Sequence, residues 1–202
     1  MRFLLVLTAT VLCAQVNDPY LNNNLPNPYR TLRNWAELPA GMTWPAITGA
    51  LEGPDGNLYV LGRCNENSCA GRKEPAVLVY DSAGKLVKAW GSGLFNFPHG
   101  FAFDPDGSLW ISDAQIGDGK GNQVFKFTRD GKLLLTLGKA GATGAGTDVF
   151  DQPTSIAIAA DGSVFVSEGH SPNYGNSRIL KFSKDGKLLK VIGKKGRNPG
   201  EF

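Results

Sequence analysis

The 202-residue sequence is poor in charge, with charged side chains making up 19% and a formal net charge of only +3 at pH 7. That balance excludes the strongly basic face a nucleic-acid-binding protein needs. The one local cluster, Lys194, Lys195 and Arg197, reads as a solvated loop between repeats. Long apolar runs are also missing. The one notable stretch, Phe3 to Leu12 after Arg2, is too short to span a bilayer as a helix. It reads as the core of a signal peptide over residues 1–15, with small residues near Cys13 and Ala14 for cleavage, so an exported protein is expected, secreted or periplasmic. Acylation of Cys13 is the alternative, which bulky Leu12 disfavours. Loss of the leader removes Arg2 and brings the charge to about +2.

Cysteine is scarce as well, three residues in all, leaving Cys64 and Cys69 in the segment RCNENSCAGR once the leader is removed. Export favours a disulfide between them, closing a small loop. Two thiols with no second Cys or His pair nearby make a zinc site of that pair improbable.

What the sequence has in quantity is glycine, 26 residues, together with 12 prolines and a repeat. GNLYVLGR at 56–63, GSLWISDA at 107–114 and GSVFVSEG at 162–169 each follow an Asp-Gly dipeptide, at spacings of 51 and 55 residues. A second strand pair follows each, ending at Gly91, Gly138 and Gly193, and a proline-led strand precedes each, at Pro45, Pro98 and Pro153. Four short alternating strands per unit describe a blade of a β-propeller, with Asp-Gly expected in tight hairpin turns. The expected fold is all-β: lead-in over 16–40, blades over 41–91, 92–138 and 139–193, and the start of a fourth over 194–202. Trp35 and Trp44 are expected to fold back onto the first blade. Closed propellers usually have four to eight blades, so three are read as part of a ring, or as one of two copies that self-associate to complete it.

The segments FNFPHGFAFDPDG at 95–107, QVFKFTRDGKLLLTLGKAG at 123–141, FDQPTSIAI at 150–158 and YGNSRILKFSKDGKLLKVIGKKG at 174–196 resemble NHL-repeat propellers. More narrowly they resemble the peptidyl-α-hydroxyglycine α-amidating lyases and their bacterial relatives, six-bladed proteins. The resemblance covers Asn27 to the end. It implies a central zinc held by three histidines from Pro-His steps of different blades, of which His99 is one, with Ala46 and Thr154 at the corresponding places of the first and third blades. It also implies Arg63 as the group that grips a substrate carboxylate, for which a planar fork is suited. Tyr174 is the expected catalytic proton carrier, from the alignment anchored on NSR, and His170, from anchoring on the preceding glycine, is the alternative. A structural calcium, with the Phe101 carbonyl as one ligand, is a further implication. The animal members' cysteine pair is replaced here by Asp151 and Gly175.

The implied reaction is cleavage of a carbinolamide C–N bond to an amide and glyoxylate, acting on a peptide or peptide-like substrate. The ligands missing from three blades make the isolated chain expected to be inactive. The competing expectation is a non-enzymatic propeller binding peptide, protein or glycan. A calcium-dependent sugar-lactonase type is weaker, since it wants axial acids and Asp104 lies beside Pro105 in a turn.

Overall fold

In the computed structural model the described residues are Pro26, 28–170 and 175–202. The chain divides into two units, residues 1–33 and 34–202. In the first, the described residues carry neither strand nor helix. The leader, with Cys13, lies outside the described residues.

The second unit holds twelve strands in three antiparallel meanders. The first blade is β1 (Ile47–Glu52), β2 (Leu58–Gly62), β3 (Val77–Tyr80) and β4 (Leu86–Trp90). The second is β5 (Pro98–Phe103), β6 (Leu109–Asp113), β7 (Gln123–Phe127) and β8 (Leu133–Leu137), and the third is β9 (Pro153–Ile158), β10 (Val164–Glu168), β11 (Arg178–Phe182) and β12 (Leu188–Ile192). No helix among the described residues is long and apolar enough to cross a membrane.

The Asp-Gly turns are looser than a two-residue hairpin. In the first blade Gly56 N donates to Gly53 O at 2.9 Å and Gly53 N to Asn57 O at 2.8 Å, which encloses three loop residues. Only the glycine has a positive φ, 76° at Gly56, and the aspartate stays in ordinary space. This is a type I turn followed by a left-handed residue. Asp55 instead accepts from Asn57 N and from the Tyr59 hydroxyl, so its role in the turn is as a hydrogen-bond acceptor.

The central strands alternate between two buried faces, which explains their near-continuous apolar character. Tyr59 and Leu61 of β2 face the second blade, in a core shared with Val77, Phe95, Ile111 and Phe127. Trp110 and Val124 face the third blade, against Val164, Val166 and Leu180. Val60, Leu78 and Tyr80 on the other face of the first blade are covered by Trp35, Ala36, Leu38 and Met42, and Trp44 lies 6.4 Å from Tyr80 between ring centroids. Trp35 and Trp44 thus pack onto the first blade, as the sequence suggests.

Blades meet through their first strands, with β5 adjacent to both β1 and β9. Gly100 makes this closeness achievable, because a Cβ there would fall 2.3 Å from the Thr154 carbonyl oxygen. The ladders also correct the proline-based alignment. Ile47 pairs with Gly62, Pro98 with Asp113 and Pro153 with Glu168, so Ile47, not Pro45, corresponds to the two strand-opening prolines. The first-blade counterpart of His99 is therefore Thr48, not Ala46, while Thr154 keeps its place.

Candidate functional site

Arg63 is the first residue after β2, and its amide donates to Ala46 O at 3.0 Å; Ala114 N to Phe97 O and Gly169 N to Gln152 O repeat that bond in the other blades. One blade position is thus occupied by arginine, alanine and glycine in turn. The arginine side chain crosses to the second blade. Its Nε donates to Pro98 O at 3.3 Å, its Nη1 to Asn67 Oδ1 at 2.6 Å, and its Cζ sits 3.5 Å from the centroid of the Phe97 ring. Burial draws the Arg63 pKa down, yet a guanidinium stays charged at neutral pH. The Cys64–Cys69 disulfide is formed, and both cysteines are buried. Cys69 N and Ser68 Oγ both donate to Asn96 O, at 2.9 and 3.1 Å, so the small loop that holds Asn67 is tied to the chain just before Phe97.

His99, the second residue of β5, is half-buried, and His170, two residues beyond β10, comes to meet it. Their ring centroids are 4.9 Å apart at 88°, and Phe97 lies 6.4 Å from His99 and 6.0 Å from His170. The His99 pKa is lowered, first by burial and then by the charges of His170 and Arg63, against a raising hydrogen bond to the Thr154 backbone. Three of the residues singled out in the sequence, from three different blades, therefore converge around one phenylalanine. Tyr174 lies outside the described residues. Phe101 stands mid-strand opposite Ile111, with its side chain packed into the core between the first two blades. Asp104 is committed to Ser108 N, Trp110 Nε1 and Lys126 Nζ, at 2.8, 3.0 and 2.8 Å.

Two buried acids hold the segments that lead into the site, and neither stands out in the sequence. Asp113 ends β6 and accepts from Asn96 N at 3.0 Å and Phe97 N at 2.5 Å. Glu168 holds the same position in β10 and accepts from Asp151 N at 2.9 Å, from Asn176 Nδ2 at 2.7 Å and from Arg178 Nε. The signal was the parallel SDA and SEG ending of the two strands. Gly62 replaces the acid in the first blade.

Burial pushes the Asp113 carboxyl up to about 6 from an ordinary 3.8, against the lowering by the Asn96 and Phe97 amides and Lys120. The folded chain therefore holds this proton more tightly than the unfolded one. The resulting stability is fully present below about pH 3.8 and is lost as pH rises through about 6, a change of about 2–3 kcal/mol. Urea unfolding of Asp113→Asn and the parent between pH 4 and 7 should show the parent losing stability relative to the variant over that window. A pH-independent difference between the two would contradict the assignment.

The resemblance implies three imidazoles for zinc, and the chain contains two histidines in all. Both are in the cluster, but among the described residues no group of three His, Cys, Asp or Glu is placed to hold a metal ion. The residues present do not make a complete three-histidine site. A cleft of about 420 Å³ opens beside His170, along the seam between the second and third blades.

No family model matches the chain. Peptidyl-alpha-hydroxyglycine alpha-amidating lyase 2 of Drosophila melanogaster is 41% identical over 122 residues, covering 59% of this chain and 28% of that protein. Peptidyl-glycine alpha-amidating monooxygenase of Mus musculus is 35% identical over 139 residues, covering 64% of this chain and 13% of that protein. NHL repeat-containing protein 3 of Homo sapiens is 28% identical over 180 residues, covering 86% and 48%. The chain thus spans less than half the length of each of these relatives. Among solved structures, a gluconolactonase of Xanthomonas campestris superposes with a TM-score of 0.50 at 20% identity, covering 75% of this chain and 48% of that one. That likeness concerns the fold alone. The chain is an all-β run of propeller-type blades that resembles NHL-repeat proteins and the amidating lyases in sequence.

Proposed function

We propose that Arg63, His99 and His170 form part of a site that binds a peptide ending in α-hydroxyglycine and cleaves its carbinolamide C–N bond. The convergence of these three side chains on Phe97 carries the reading, and the similarity to the amidating lyases supports it. Arg63 takes the terminal carboxylate. Its Nε and one N–H of Nη1 are occupied, and Nη2 with the second N–H of Nη1 forms an end-on fork that fits two carboxylate oxygens. The adjacent imidazoles then face the carbinol carbon.

The hydroxyl gives up its proton to Tyr174, the carrier the resemblance favours, or to His170, the alternative, which lies in the cluster. The O–H electron pair becomes the new C=O bond, the C–N bond breaks, and the proton is delivered to the departing amide nitrogen. The products are a primary amide and glyoxylate, with atoms and charge balanced. In the protein that completes the imidazole set, substituting His170 by Ala and Tyr174 by Phe separately identifies the carrier through the larger fall in kcat.

Zinc, implied by the resemblance, would supply Lewis-acid chemistry at the hydroxyl, and calcium a structural tie. With His99 as its one Pro-His imidazole, the chain by itself is expected to bind substrate without turnover. Export of the chain is part of the proposal, and the buried disulfide fits an oxidising compartment. The reading is tested by glyoxylate release from a peptidyl-α-hydroxyglycine in the protein that completes the imidazole set. Binding without release there would favour a non-enzymatic propeller.

A further inference from the structure

We infer that the cleft beside His170 is the subsite for the peptide segment preceding the reacting residue, and that it prefers a cationic side chain. The inference deepens the proposed function and rests on it for the direction in which the peptide runs. Arg63 stands at the seam of the first and second blades, the two imidazoles come from the second and third, and the cleft opens at the seam of the second and third. A substrate with its carboxylate on Arg63 and its carbinol at the imidazoles extends its remaining chain onward past His170, into this opening.

The lining suits main-chain peptide. The side chains of Gln115, Thr143 and Gln152 make no hydrogen bonds among the described residues, so amide and hydroxyl donors and acceptors stand ready for an extended backbone. Asn122 fixes the floor, accepting from Gln152 N at 3.0 Å and donating to Ala142 O at 3.1 Å. Ile116, 47% exposed, offers apolar contact at the rim. The volume of about 420 Å³ falls in the range of ligand-binding clefts.

Charge gives the preference. Among the described residues lining the cleft, Asp151 and His170 are the titratable ones, and no lysine or arginine is present. Asp151 uses Oδ2 to accept from Gly175 N at 2.7 Å, which orients its carboxylate. A lysine or arginine next to the hydroxyglycine meets that carboxylate, whereas a glutamate is repelled by it.

The test measures dissociation constants for the 202-residue chain by fluorescence anisotropy, using labelled tetrapeptides that end in α-hydroxyglycine and carry lysine or glutamate before it. Unlabelled benzoyl-α-hydroxyglycine serves as the minimal competitor. The expected result is tetrapeptide binding about tenfold tighter than the minimal ligand, a lysine preference of about tenfold, and a severalfold loss of that preference in Asp151→Asn. Equal affinity for short and long ligands, or an unchanged preference in the variant, overturns the inference. Glyoxylate release is measured separately, in the protein that completes the imidazole set, so absent turnover there with persistent length and charge dependence in the chain removes the lyase reading alone. Turnover without that dependence removes the subsite alone.

Discussion

Replacing Glu168 by alanine should destabilise the chain by about 3–5 kcal/mol, because it strands the Arg178 guanidinium in the interior. The side chains of this pair are 0% and 8% exposed for Glu168 and Arg178. Arg178 also donates to Ala145 O at 2.7 Å and Gly146 O at 2.8 Å, so one cation holds the loop before β9 while one carboxylate holds Asp151 N. With the carboxylate gone, Asp151 N, Asn176 Nδ2 and the arginine all lose an acceptor. Glu168→Gln, which keeps one oxygen acceptor but no charge, should lose less than the alanine variant. Urea denaturation monitored by tryptophan fluorescence measures both. A loss below about 1 kcal/mol for Glu168→Ala would place the pair at a wet surface instead.

Arg63→Ala should weaken binding of an α-hydroxyglycine peptide by about 100-fold, the scale for removing one partner of a hydrogen-bonded charge pair. Arg63→Lys keeps the charge but loses the fork and the flat stacking on Phe97, so about a tenfold loss is expected. The decisive comparison uses the same peptide with its terminal carboxylate amidated, where parent and both variants should bind alike. Calorimetric titration gives all three constants, and unchanged melting temperatures show that the fold is kept. Equal losses on the carboxylate and amidated ligands would mean that Arg63 acts through packing, not through the carboxylate.

The blades were legible because their signals are local. Asp-Gly turns, alternating strands and a recurring spacing each depend on residues a few positions apart. Register was less legible, since Pro45 imitates Pro98 and Pro153 in sequence but lies ahead of β1, and Ile47 takes the strand-opening place. Irregular pairing in the first strands, between Ile47 and Gly49 and between Pro98 and Phe101, shifts the count further.

In the site, Arg63 and His99 entered through the resemblance, which places each at a fixed offset from a strand end. His170 entered as an alternative, because the segment between β10 and β11 is longer than the pattern it resembles. Asp113 and Glu168 were not singled out at all. Their partners are backbone amides about 17 residues away, Asn96 and Asp151, and no side-chain motif marks a backbone donor.

Glyoxylate release from benzoyl-α-hydroxyglycine tests the account most directly, in zinc-supplied protein that joins this chain to two further Pro-His imidazoles. The account predicts glyoxylate and benzamide in equal amounts, with release abolished by Arg63→Ala. Substrate bound at the Arg63 cluster but recovered intact would contradict it.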